Sequence, residues 1–302
     1  MPTDDLYRQA LQDHPLQQAL EANLCLSAEV PTDLSFIESG WTTAEAFRDC
    51  DAAIDEYLAY QGSFNAGTDA RSRATFLMAD YAYIFCLAVV PVFVGSDILP
   101  DIAARSMALH FYMTDHHHDG VTQTVRRARV RFLSPLFTTS RTDLRHGDAH
   151  HVSGHPQLCD LFRQELEGHF APLIQKLHAH SGLARSAFWR LLGDAVASRF
   201  LDTGRQLGCA AQAQASAMLI LKTPGSPLAN RQLGYFDVVV HDDTGTEKGR
   251  WTFRARGGCC RYYTVERGEL CATCVLRDKR DRDTMLADLV RRHLSLASPG
   301  AI

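Results

Sequence analysis

The sequence predicts an α+β fold, predominantly helical, with a modest, mainly antiparallel sheet and a small cysteine-rich carboxyl-terminal segment. Three observations carry this reading. Apolar residues recur at helical spacing through much of the chain, and the period shifts to two in a few short stretches, above all 124–133 and 233–256. Four of the nine cysteines fall within sixteen residues near the end. The 302 residues, 46% apolar and 22% charged, suffice for a substantial buried core and exclude a collagen-like, low-complexity or largely disordered chain.

Taken in order, Asp4 to Leu24 is helically periodic, with an interruption near Pro15. Thr42-Thr43-Ala44-Glu45 has the form of a capping box and predicts a helix running through Phe47, Ile54, Tyr57 and Leu58. A long helix from near Thr68 should end or kink close to Pro91, which has no N–H to donate. Its stretch YAYIFCLAVVPVFVGS, residues 81–96, carries no charge. That is shorter than the ~20 apolar residues that span a bilayer, so a buried helix is expected and stable membrane insertion is not. Ala108 to Met113 and Thr124 to Leu133 read as strands around a polar loop, Thr114 to Gly120. A second loop rich in His, Asp and Gly runs from Arg141 to Pro156. Two long helices follow, Leu158 to His180 and Arg185 to Leu221.

Pro224-Gly225-Ser226-Pro227 marks the expected boundary between a helical α+β domain, 1–225, and a carboxyl-terminal region, 226–302. There Leu233 to His241 and Gly249 to Arg256 flank Asp242-Asp243-Thr244-Gly245, a hairpin signal. A short Arg261 to Val265 segment and a charged helix, Asp281 to Leu296, complete the chain. The opening residues MPTDDLYRQALQDHP lack the basic, apolar and small-residue regions of a signal peptide. An odd set of cysteines in a chain this long is no disulfide framework, so a reducing, cytoplasmic setting is expected.

The cysteines Cys259, Cys260, Cys271 and Cys274 follow the pattern CC-x10-CxxC. The CxxC half has the usual spacing for two ligands of one centre. Adjacent side chains of an extended backbone diverge, so Cys259 and Cys260 converge only if the chain bends, and Gly257-Gly258 offers that freedom. Zinc would take four thiolates tetrahedrally, but its paired ligands are normally separated by a few residues. A [2Fe–2S] cluster spreads four thiolates over two irons and accepts less regular spacing. A redox CxxC or an incidental cysteine-rich turn is the third reading.

This pattern resembles the ferric-siderophore reductases of the FhuF type, whose four cysteines hold a [2Fe–2S] cluster. The likeness extends less specifically to the apolar, Pro-terminated stretch Ser72 to Pro91, to Pro172 and Trp189 in a helix pair, and to the basic strand Arg250 to Arg256. Val275 departs from the small residue or proline that often follows the last cysteine. The resemblance implies a small iron–sulfur segment bound by Cys259, Cys260, Cys271 and Cys274. It implies a cytosolic reductase that passes one electron to a chelated ferric ion and releases it as ferrous iron. The partners would be a ferric siderophore and a separate reduced carrier, ferredoxin- or flavodoxin-like, or a reductase. A structural zinc module without turnover, and an iron–sulfur carrier or sensor, are the alternatives.

Charge adds direction. Residues 248–282 carry ten Lys and Arg against four Asp and Glu, whereas the remainder carries 21 against 31, within a net charge of −4. A basic face beside the cysteines would steer an anionic chelate or an acidic donor protein. No nucleic-acid motif accompanies it, and no GxGxxG or phosphate loop predicts a bound nucleotide. On a strand, Arg127, Arg129 and Arg131 share one face and are substrate-contact candidates. Trp189 is a weaker one, better read as core. The loop Asp115-His116-His117-His118-Asp119, with His146, Asp148, His150, His151 and His155, holds metal-ligand types without a recognised spacing.

Overall fold

In the computed structural model, residues 11–26, 28–64, 67–118 and 121–297 are described. Among the described residues there are eight helices; about half of the structure is helical and 19% is strand, in small, mostly antiparallel or mixed sheets, which is the α+β fold expected. The amino-terminal periodic stretch lies partly outside the described residues; its visible part is helix α1, Pro15–Ala22, started by Pro15 at its first position. The edge strands β1, Thr32–Leu34, and β2, Thr42–Thr43, follow. Thr43 then caps α2, Ala44–Asp49, its hydroxyl accepting the Ala46 N–H. The helix expected to continue through Leu58 breaks at Cys50, which is extended, and resumes as α3, Asp51–Ser63.

Helix α4, Ala70–Ser96, is the axis of the fold. The expected stop at Pro91 does not occur: the helix runs on to Asp97, whose left-handed φ of 54° closes it with an N–H to the Phe93 carbonyl. Burial on nearly every side holds the turn that the missing N–H weakens, Val89, Val90 and Val92 all being buried. By length and composition α4 is apolar enough to cross a membrane, and 78% of its most apolar window is buried inside this fold. Its Phe93 ring meets Phe162 at 4.9 Å and Phe200 at 5.7 Å, on helices α5, His155–Ser181, and α6, Arg185–Gln206. The second long helix of the sequence reading is two helices. A left-handed Gly208, φ 71°, separates α6 from α7, Ala210–Leu221.

Strands β4, Met107–His118, and β5, Val121–Phe132, form a long antiparallel hairpin; β1 adds in parallel to β5 and β2 in antiparallel to β4. The stretch read as a polar loop is therefore mostly strand, with His116 opposite Gln123 and His117 opposite Thr122. Backbone pairing extends it past the buried sheet, where no apolar alternation marks it. Asp119 and Gly120 lie outside the described residues. A second sheet joins β3, Ile98–Pro100, to β6, Phe137–Thr139, and β7, Ala149–His151, within the His-rich loop.

The carboxyl-terminal hairpin pairs β8, Gly234–His241, with β9, Glu247–Ala255. Its turn is organised by the Asp242 carboxylate, which accepts the Thr244 and Thr246 N–H groups. The hairpin lies between α6 and α8, Lys279–Ala297. The Tyr235 hydroxyl donates to the Ala197 carbonyl of α6, the Arg205 guanidinium covers the Trp251 ring at 4.3 Å, and His293 of α8 meets Trp251 at 4.7 Å. This anchoring delivers the end of β9 and the cysteines after it to the amino-terminal half of α6.

Candidate metal centre

The cysteine segment has almost no regular structure, so its shape depends on what holds it. Asp194 of α6, 3% exposed, is the main anchor. Its two carboxylate oxygens accept the Gly257 N–H at 2.8 Å and the Gly258 N–H at 3.1 Å, and Arg256 Nε lies 3.3 Å away. Asn230 donates to the Gly257 carbonyl at 2.9 Å. From the other side, Thr75 of α4 donates to the Cys260 carbonyl at 3.0 Å, and Arg261 reaches Asp69 at 3.0 Å. The segment is thus tied to the start of α4 and the middle of α6 at once.

The glycine pair acts differently from the expectation. Neither Gly257 nor Gly258 has a left-handed backbone; the bend falls at Arg261, with φ 61°, just before a 3-10 turn, Tyr262–Thr264. What Gly258 supplies is thinness. A Cβ there would sit 3.0 Å from Arg190 Cβ and 3.2 Å from the Leu191 backbone N. The loop approaches α6 so closely that any side chain there would push its neighbours aside by a few tenths of an ångström.

All nine cysteines are free thiols. Within the cluster segment, Arg256 Nη1 donates to Cys271 Sγ at 3.1 Å and lies 4.0 Å from Cys260 Sγ, and the Arg261 N–H points to Cys259 Sγ at 3.4 Å. Cys271 to Cys274 form a tight turn closed by the Cys274 N–H on the Cys271 carbonyl. Arg277 holds that turn, donating to the Cys271 carbonyl at 3.3 Å and to the Leu270 carbonyl. Cys271 interacts electrostatically with both Cys260 and Cys274. Burial pushes the Cys271 thiol pKa up, and the Arg256 guanidinium opposes that shift. Burial likewise works against the charge of Arg256, but Asp194 and the Cys271 and Cys260 sulfurs outweigh it and hold its pKa above the ordinary arginine value. Arg254 lacks that surplus: burial lowers its pKa, and its Nε is buried without a hydrogen-bond partner among the described residues. Four thiols on one short segment, three of them met by N–H donors at sulfur, suit an all-thiolate metal centre, since ligated thiolates accept such bonds and are stabilised by nearby positive charge.

The other candidates lie elsewhere. Arg131 is engaged by Asp33 at 2.9 Å and Glu38 at 3.3 Å, and covers Trp41. Arg127 stands 3.9 Å from Glu29, and Arg129 lies over Tyr112. Among the described hydrogen bonds and ion pairs, none joins these three arginines to the cysteine segment. Trp189, on α6, is 8% exposed and part of the core.

In the His-rich loop, His146 and Asp148 meet His14, which the sequence reading left out, with ligand atoms within 4.8 Å of one another. His14 Nδ1 accepts the Leu16 N–H, so the neutral ring carries its proton on Nε2, 3.2 Å from Asp148. That places a donor, not a lone pair, toward the carboxylate. The arrangement is a tie between the amino-terminal helix and the loop. His155 bonds Asp97 at 2.8 Å and Ser216 at 2.7 Å, pinning the left-handed end of α4 to α7.

The anchor residues Asp194, Thr75 and Asn230 were not singled out from sequence. Asp194 carries a detectable signal, a carboxylate inside the apolar face formed by Leu191, Leu192, Val196 and Ala197. Charged groups there are seldom fully buried unless paired.

Residues 256–276 match the family model of the FhuF 2Fe-2S C-terminal domain. The four cysteines lie inside the match and fit its cluster motif. No curated protein matches the chain. The matched domain is a 2Fe–2S domain, which decides between the two all-thiolate centres in favour of iron–sulfur.

Proposed function

With a 2Fe–2S domain at its carboxyl end as the premise, we propose that this protein is a cytosolic ferric-siderophore reductase. Cys259, Cys260, Cys271 and Cys274 hold the [2Fe–2S] cluster. The observation that carries the reading is the match over 256–276, on a segment clamped by two helices with arginine donors at its sulfurs. When bound, the cluster supplies a one-electron reservoir. The protein's own groups set its surroundings: Arg256 bonds Cys271 Sγ, Asp194 holds Arg256 and both glycines in place, and Arg277 closes the CxxC turn. Hydrogen bonds and positive charge at the sulfurs favour the more negative, reduced state and so raise the potential.

The reaction needs no nucleophile or general base. A separate reduced carrier loses one electron, chelated Fe(III) gains it, and Fe(II) leaves ligands whose hard oxygens favour the trivalent ion. The basic balance of residues 248–282 suits an anionic chelate or an acidic carrier.

The test is stopped-flow mixing of the anaerobically reduced protein with several ferric chelates, following cluster absorbance. Reoxidation stoichiometric with Fe(II) formation is expected. Absence of reoxidation by every chelate class would leave an electron carrier or sensor as the reading.

A further inference from the structure

The cluster segment has one wall that is both basic and open. A cavity of about 220 Å³ is lined by Gln232, Phe236, Arg256, Cys274, Arg277 and Arg282, together with small neutral residues, and by no carboxylate. Cys274, one of the four cysteines, is 8% exposed, so a group seated in the cavity lies directly against it.

The three arginines differ in what neutralises them. Arg256 is paired with Asp194 behind the wall. Arg282 lies over the Phe236 ring at 5.0 Å and meets Asp283 at 3.0 Å. Arg277 donates to two backbone carbonyls, and among the described residues no carboxylate pairs with it. It lines the cavity with no carboxylate counter-ion among the described residues. Planar guanidinium groups suit a carboxylate, which they bind bidentately. The volume is below the ~300 Å³ at which pockets enclose a whole ligand, so it fits one arm of a larger molecule.

We propose that this cavity receives a carboxylate arm of an anionic, citrate-type ferric chelate, with Arg277 and Arg282 as the binding groups and Cys274 as the nearest point of the cluster. The inference rests on the reductase reading and adds the substrate class. An uncharged or cationic trihydroxamate complex has no carboxylate to place there.

The experiment uses the oxidised, cluster-loaded protein and gallium(III) citrate, a redox-inert stand-in, titrated by calorimetry. Arg282→Gln should weaken binding about tenfold or more, the scale of losing one charge-assisted hydrogen bond. Arg141→Gln, exposed on the His-rich loop and outside both the cavity and the basic stretch 248–282, should leave it unchanged. Because Arg277 also holds the CxxC turn, Arg282→Gln carries the test, with cluster absorbance per chain confirming equal loading. In parallel, the reduced proteins are mixed with ferric citrate and with a cationic ferric trihydroxamate. The variant should slow with the first and keep its rate with the second. Unchanged gallium citrate affinity in Arg282→Gln, or no binding by the wild type, overturns the inference even if chelates reoxidise the protein. Weakened gallium citrate binding by the variant, with no chelate reoxidising the cluster, upholds the cavity and removes the reductase reading.

Discussion

Asp194→Asn is the sharpest perturbation of the cluster segment. The substitution keeps shape but replaces one acceptor oxygen with a donor NH2. Of the Gly257 and Gly258 N–H groups, 2.8 and 3.1 Å from the two oxygens, one then faces another donor. Arg256 loses its counter-charge while remaining largely buried. An unsatisfied buried donor costs about 1–3 kcal/mol, and a buried pair broken at one partner about 3–5 kcal/mol. The two losses share one side chain and do not add, so the expected destabilisation is about 3–5 kcal/mol. Asp202→Asn is the control: Asp202 is 43% exposed and 3.7 Å from Arg205, a pair worth at most about 1 kcal/mol. Denaturant melts read by circular dichroism supply both values, and iron and sulfide content after anaerobic purification reports cluster retention. Asp194→Asn should melt earlier and carry less cluster. If it matches Asp202→Asn in stability and holds a full cluster, Asp194 is not the anchor of the segment.

Cys271→Ser should lose the cluster, whereas Cys159→Ser, buried in the helical core, should keep it at some cost in stability; equal iron and sulfide in the two variants would contradict the ligand assignment. Gly258→Ala should cost about 1–3 kcal/mol by pressing a Cβ against α6, while Gly234→Ala, with open space at its Cβ, should be near neutral in the same melts. His169 gives a pH signature. Its ring is buried between the Tyr81 hydroxyl and the Ile102 carbonyl, and burial pushes its pKa from 6.5 down to about 4. The unfolded chain therefore binds this proton first as pH falls. Its contribution is whole above 6.5 and is lost between 6.5 and 4, by up to about 1.4 kcal/mol per pH unit, read as proton uptake on unfolding. A His169 imidazole titrating near 6.5 by NMR would refute the assignment.

How far the sequence reached differs from element to element. The β8–β9 hairpin was legible because Asp242 and Gly245 act through local backbone chemistry. The final charged helix was legible for the same reason, and the start of α2 to within one residue, since Thr43 caps it where the Thr42-to-Glu45 pattern placed the cap at Thr42. The interruption at Cys50, the passage of α4 through Pro91 and the strand character of His116 and His117 were not. Each is settled by what packs or pairs against the backbone from far along the chain. The four cysteines were visible as a group through spacing alone, and their iron–sulfur identity through resemblance.

By itself, then, the sequence determined the composition of the centre: four thiolates in CC-x10-CxxC, a basic stretch around them and a helical body in front. Ligand type and local spacing are covalent properties and need no fold to be read. Tertiary structure alone decided how that stretch is held and where it opens. Asp194, 62 residues before Arg256, and Thr75, 185 residues before Cys260, reach the loop only once α4, α6 and the hairpin have packed. The same packing turns Arg127, Arg129 and Arg131 toward other partners and brings Phe236 of β8, with Arg282 over its ring, to the cavity beside Cys274. Burial then makes those few contacts decisive, because an unpaired charge or donor inside the fold costs more than a solvated one.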